Sequence, residues 1–502
     1  MRLAMLSLML AFSCSRAASP PAGLVMALSS EPQSLDPRFG TDANSARLAD
    51  LLHASLTRTD ATARRVPEIA SAWHLPDAHT VVFRLRADFH FADGAPVTAA
   101  DVKATFDAVR DPALASPKRA SLAMVSGIET PDATTVVVRL SAPYAPFLEA
   151  TGLGILPAAL ARQPHDVVTG AGPFRLVRAV RGERLDLEPN PGYPGGPARL
   201  GPLAIRIVPD EVVRVLELRR GTLGFVQDAF EPEVLDWLRR RHELAVRQGP
   251  GTSVHYLAFN FRDRRLADRR VRRAIALAID RDQLVASVLG GAARPATGLL
   301  APDHWAYGPA RLPVHDKRRA ARLLDRAGYR DPDGDGPVPR FRLVYKTSSQ
   351  PARRRLAEAI QAQLAAIGIA LDVRTYEWGT LYAQIRAGNF ELCSLAWVGI
   401  GDPDLYFFAF HSTMQPPAGF NRGAYASALM DRLTAEARVT LDLASRRALY
   451  ARIQRVAARE LPVLPLWWED RIVVHTRRLE GFEPSPDGSL HGLAQASLGL
   501  GA

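Results

Sequence analysis

Between residues 356 and 397 the chain twice repeats one unit: an amphipathic helix, a glycine, then a short apolar strand. Leu356, Ile360, Leu364 and Ile367 recur at spacings of four, four and three, which places them on one face of a helix. Gly368 stops that helix, and residues 369–373 follow as a buried strand. Residues 381–387 again read as helix, Gly388 ends it, and residues 390–397 form the next strand. Helix and strand alternating with short connections can bury both apolar faces only in a layered α/β domain around a largely parallel sheet.

Elsewhere the pattern differs. Residues 80–85 and 134–140 are dense in β-branched side chains, and Thr98 with Asp101 opens a helix between them. That stretch, from about 59 to 165, reads as a separate α+β domain. Farther on, Val271, Ile275 and Ala278 stripe one helix. Asp280 with Gln283 caps a second, which ends at Gly290-Gly291. At 502 residues more than one domain is required.

The net charge of +11 raises the question of nucleic acid, but only four of the 63 basic residues are lysine: Lys103, Lys118, Lys317 and Lys346. The arginines are scattered among helices and strands. The runs 269–273 and 353–355 alternate with apolar positions and lack interleaved aromatics for base stacking, so they read as solvated helix faces. No nucleic-acid partner is expected.

The first twenty residues have the form of a secretory signal: Arg2, an apolar run at 3–12, then Ser13-Cys14-Ser15. Cys14 resembles the acylated cysteine of bacterial lipoproteins, although Ala11 stands where leucine is commonest. Cleavage near Ala17-Ala18 is the alternative. The run is too short to span a bilayer. An extracytoplasmic location follows from either reading. The second cysteine, Cys393, lies in an apolar strand and reads as a packing residue.

Catalytic motifs fail one by one. None of the lysines follows a glycine, so there is no Walker loop; G-x-S-x-G is absent; His242-Glu243 lacks the second histidine of a metalloprotease. Asp331-Pro332-Asp333-Gly334-Asp335-Gly336 imitates the start of a calcium loop, but its twelfth position is Arg342 rather than glutamate. No enzyme, metal or cofactor is expected. What remains is a set of aromatic and polar residues at strand ends and turns: Tyr256 and Asn260, Trp378, Trp397 leading to Asp402, and Asn421-Arg422. Together they would suit a cleft for a small organic molecule.

Four blocks in order resemble the extracellular solute-binding proteins of family 5, the receptors of peptide, nickel and related ABC transporters. They are residues 30–37 (SEPQSLDP), 89–102 (FHFADGAPVTAADV), 170–174 (GAGPF) with 190–193 (NPGY), and 271–281 (VRRAIALAIDR). The resemblance implies a type II periplasmic-binding-protein fold, a Venus flytrap of two lobes. Lobe I would comprise 22–58, 166–258 and 468–502, an α+β domain would be inserted at 59–165, and lobe II would be 259–467. It further implies a monomer that captures a small-molecule or short-peptide ligand and serves membrane permease subunits. A sensor or chaperone-like binding protein on the same fold is the alternative. By the same resemblance the cleft would be lined around Trp397. Peptide-binding members carry an aspartate three positions beyond that tryptophan, where this chain has Ile400. Free peptides are therefore expected to bind weakly or not at all, and Asp402 serves either as a helix cap or as a relocated ligand carboxylate.

Overall fold

The strand Phe341–Ser348 organises the larger sheet. From it the chain runs through the helix Pro351–Ala365 to the strand Ile369–Tyr376, which pairs parallel on one side. It then returns through the helix Trp378–Arg386 to Leu392–Trp397, which pairs parallel on the other side. Gly368 and Gly388 make the two helix-to-strand turns at φ +77° and +73°, a conformation costly for any residue with a Cβ. The two helices pack on opposite faces: Leu356, Ile360 and Leu364 on one, Leu381 and Ile385 on the other. Strand order therefore reverses beside Phe341–Ser348, and such a switch point opens a crevice at the carboxyl ends of the strands.

The computed structural model describes residues 23–162, 169–334 and 336–499. Cys14 and Asp335 lie outside the described residues. The sheet around Phe341–Ser348 has six strands, with Val254–Phe259, Val463–Glu469 and Ala293–Pro295 completing it. Val254–Phe259 is buried at all six positions, because it has a strand on each side and helices over both faces. A seven-stranded sheet forms the other lobe, with Leu24–Leu28 near its centre between two parallel neighbours. A separate four-stranded antiparallel sheet, Ala70–Asp77 to Thr135–Leu140, carries its own core with Phe83, Phe91 and Phe106.

This is the expected two-lobe α/β fold with an added α+β domain. The chain passes between the large sheets at two places, through residues 250–253 and at Asp470. Residues 254–258, and Trp468 with Glu469, grouped above with the first lobe, instead pair in the six-stranded sheet, because the strands Val254–Phe259 and Val463–Glu469 are neighbours there. The added domain is covalently part of the first lobe but also touches the second. Trp305 donates from its backbone N–H to Thr62 O at 2.9 Å, and Ala145 likewise to Arg438 O at 2.8 Å.

Candidate functional site

The switch point and the two crossovers lie on the same edge of the six-stranded sheet, and that edge faces the seven-stranded lobe. Between them is a cavity of about 640 Å³. Ser29, Asp228, Phe230 and Glu231 line it from the first lobe; His255, Gln350, Arg353, Trp467 and Glu469 line it from the second. Its size falls in the ordinary range for small-molecule sites.

The second-lobe wall is a fixed relay. Arg353 Nη1 lies 2.9 Å from His255 Nδ1, and His255 Nε2 lies 3.1 Å from Glu469 Oε2. A guanidinium can only donate, so Nδ1 accepts, and the imidazole proton is placed on Nε2 for the carboxylate. Trp467 stacks on the ring at 5.1 Å and 20°. Burial works against the charge of Glu469, but the His255 N–H and the nearby Arg471 and Arg353 outweigh it, holding the carboxyl at about 2. Arg353, on the helix Pro351–Ala365, donates to His255 and is itself one of the residues lining the cavity.

The first-lobe wall is pinned at Asp228. Its carboxylate takes Arg47 at 2.7 Å, Arg471 at 3.1 Å and the backbone N–H of Ile472 at 2.9 Å. Across the cavity mouth Glu231 meets Arg355 at 3.2 Å, both half exposed. Such an exposed pair contributes about 0–1 kcal/mol.

The residues read from sequence divide into three groups. Tyr256, Trp397, Arg422 and Trp378 come together on the opposite face of the sheet. Tyr256 and Trp397 stack with centroids 3.8 Å apart. Arg422 reaches the hydroxyls of Tyr256 at 3.3 Å and Tyr382 at 3.4 Å, and Tyr382 stacks on the exposed Trp378 at 5.5 Å. Burial pushes the Tyr256 phenol upward, so it stays protonated. Trp397 Nε1 is buried without a partner among the described residues. The slot beside them measures about 20 Å³, room for one water rather than a solute.

Asn260 and Asn421 sit in turns instead. Asn260 donates to Phe390 O at 2.5 Å and Gly388 O at 2.9 Å, and accepts from Arg262 N–H at 3.1 Å. It lies at the end of Val254–Phe259 away from the cavity. Asn421 donates to Tyr425 O and His411 O and accepts from Tyr425 N–H. Both amides are consumed by backbone groups.

Asp402 accepts from Arg446 at 2.7 and 3.0 Å and from Asp404 N–H at 2.7 Å. Its carboxylate thus anchors the loop that enters the helix Leu405–Phe410. Asp404 pairs with Arg438 at 3.1 Å, yet burial pushes its carboxyl up to about 7. Ile400 is buried, 6% exposed, in the apolar cluster of this face.

His255, Arg353, Trp467 and Glu469 were not singled out from the sequence. The available signal was the period-two alternation of residues 254–259, which turns His255 to the face opposite Tyr256. Among the described residues no cluster of His, Cys, Asp and Glu is placed to hold a metal, and no helix is long and apolar enough to cross a membrane.

Residues 64–416 match the family model of bacterial extracellular solute-binding proteins, family 5 Middle. The chain belongs to that family. This solute-binding protein is 29% identical over 516 residues to Di/tripeptide-binding protein 2 of Pseudomonas aeruginosa, covering 95% of this chain and 96% of the relative. Among solved structures it is similar to the periplasmic binding protein DppA of Helicobacter pylori, in complex with the peptide STSA. The TM-score there is 0.76 at 26% identity, covering 95% and 98% of the two chains. It is also similar to AgaA of A. tumefaciens in complex with agropinic acid, with TM-score 0.75, 25% identity, and 95% and 99% covered. The family and these relatives are binding proteins, and the family is extracellular.

Proposed function

We propose that this solute-binding protein encloses a small organic solute, peptide-like or related, in the cavity between its lobes and presents the closed form to the membrane subunits of an ABC importer. The observation that carries the reading is the cavity of about 640 Å³ with walls from both lobes. A solute that touches both walls does so only when the lobes are together, so binding and closure are the same equilibrium. The moving bodies are the two large sheets with their helices, hinged at residues 250–253 and Asp470. Arg353 offers free donors to an acceptor-rich group, and His255, Trp467 and Glu469 give that end a fixed shape. A peptide in one relative and agropinic acid in another are cargoes of the size and polarity this wall suits. The protein acts as a monomer outside the cytoplasm, tethered through Cys14 if that residue is acylated, and carries out no chemical step on its cargo.

The test has two stages. Mass spectrometry identifies what co-purifies with the exported protein, and X-ray scattering then compares stripped and saturated samples. The saturated form is expected to have the smaller radius of gyration. An unchanged profile at saturation, starting from protein verified as empty, would remove closure from the mechanism.

A further inference from the structure

Much of the chain's positive surplus lies in one stretch of sequence. Residues 261–330 contain sixteen arginines and lysines against seven aspartates and no glutamate, most of the surplus behind the chain's +11. Nine of the sixteen fall on two packed helices of the second lobe, Arg269–Ala278 and Lys317–Ala327. At about 100° per residue, Arg318, Arg319, Arg322 and Arg326 occupy one arc of the second helix, opposite its buried Ala320 and Leu324. All four are exposed, as is Arg269 on the neighbouring helix. Arg270 ties the two helices by donating to Arg326 O at 2.7 Å.

Five of these seven aspartates are already engaged, Asp280 as the cap of the helix Arg281–Val288. Asp263 holds Arg265, Asp268 holds Arg270, Asp325 holds Arg340, and Asp316 caps the second helix through Arg319 N–H. The arginine stripe itself has no carboxylate within salt-bridge distance among the described residues. It is a convex ridge, three turns long, and it does not line the cavity between the lobes.

We infer that this ridge is a docking surface for a membrane leaflet bearing anionic lipid headgroups. Charge complementarity supplies the attraction. A ridge of this kind suits a planar array of headgroups, whereas single-stranded nucleic acid requires a groove with stacking platforms; Tyr329, the aromatic that follows this helix, is spent on Phe341 at 4.8 Å. Docking through the second lobe would hold a tethered receptor against the membrane while leaving the cavity mouth clear.

The exported protein carrying Cys14→Ser, which cannot be acylated, is tested by co-sedimentation with vesicles. Binding to phosphatidylglycerol vesicles is expected to exceed binding to phosphatidylcholine vesicles by at least about tenfold and to weaken steeply with salt. The quadruple variant Arg318→Ser, Arg319→Ser, Arg322→Ser, Arg326→Ser should lose that preference. Arg322→Ala alone should weaken it about fivefold, the share of one arginine near a charged surface. A double variant at the exposed Arg219 and Arg220 of the other lobe should bind as the parent does. Equal binding to both vesicle types, an unaffected quadruple variant, or an equal loss in the double variant would each overturn the inference. Duplex DNA displacing the protein from vesicles at lower concentration than excess vesicles do would assign the ridge to nucleic acid instead.

Discussion

His255 and Tyr256 are neighbours on one strand, yet they face two unlike environments. His255 looks into the large cavity through the relay of Arg353 and Glu469. Tyr256 looks into a slot of about 20 Å³ closed by Trp397, Phe410 and Arg422. Both faces are aromatic and each holds an arginine. What separates them is the element opposite. At the sheet edge the other lobe stands off from His255 and leaves a space, while the helix Leu405–Phe410 and the turn around Asn421 seal the side of Tyr256. A site is thus made by the distance to the facing layer as much as by the residues that line it.

Four measurements can break or sharpen that contrast. The largest effect is expected at Trp467, which is 2% exposed and stacked on His255. Trp467→Ala should cost about 3–5 kcal/mol in chemical denaturation, because the wall of the cavity is also core. A loss below about 1 kcal/mol would show that this wall is looser than its burial implies.

Asp402→Ala should cost about 3 kcal/mol, since it leaves the buried Arg446 without its counter-ion. Solute affinity is expected to change less than stability. The reverse result, stable protein with lost binding, would make Asp402 a ligand carboxylate and move the site to the sealed face.

His304 tests the loop on that face through pH. Burial lowers its pKa to about 4, and its Nε2 lies 2.8 Å from Gly401 O. The unfolded chain takes up this proton near 6.5, so the contribution is complete above pH 6.5 and is lost as pH falls from 6.5 to 4. His304→Gln should flatten the stability curve in that window by at most about 3 kcal/mol. An unchanged slope would mean that His304 is not held neutral by the fold.

Two arginines give the smallest and most direct comparison. Arg353→Ala should weaken solute binding by about 1.5–3 kcal/mol, the range for a hydrogen bond to a charged group. Arg422→Ala should weaken it by less than about 0.5 kcal/mol. Calorimetry with the co-purified solute measures both, and an inverted order would exchange the roles of the two faces.

Much of the framework was legible locally. The stripe Leu356, Ile360, Leu364 became the helix Pro351–Ala365, and the strand read at 369–373 extends to Tyr376. Thr98 and Asp101 form a complete capping box. Asp280 caps as expected, accepting from Gln283 N–H at 2.9 Å, but the side chain of Gln283 turns away to Gln363. A tertiary partner won over the local one. At 331–334 Asp331 accepts from the backbone of Asp333 and Gly334, a polar turn. Cys393 is fully buried among apolar neighbours, which pushes its thiol up to about 12.

The candidate site was legible only in part. Aromatics at strand ends pointed to Trp397 and Tyr256, and the fold does bring them together. Nothing local distinguished their face from the other. Arg353 lies 98 positions from His255, and Glu469 lies 214 positions from it.

The sequence by itself determined the elements and the α/β class, because hydrophobic period, caps and glycine stops act within a few residues and each is worth a fraction of a kcal/mol to about 2 kcal/mol wherever it occurs. Only the tertiary structure decided which end of the sheet is open and which arginine meets a histidine. Those outcomes depend on strand order and on the layer opposite. Both are set by burial summed over the whole chain rather than by any neighbouring residue.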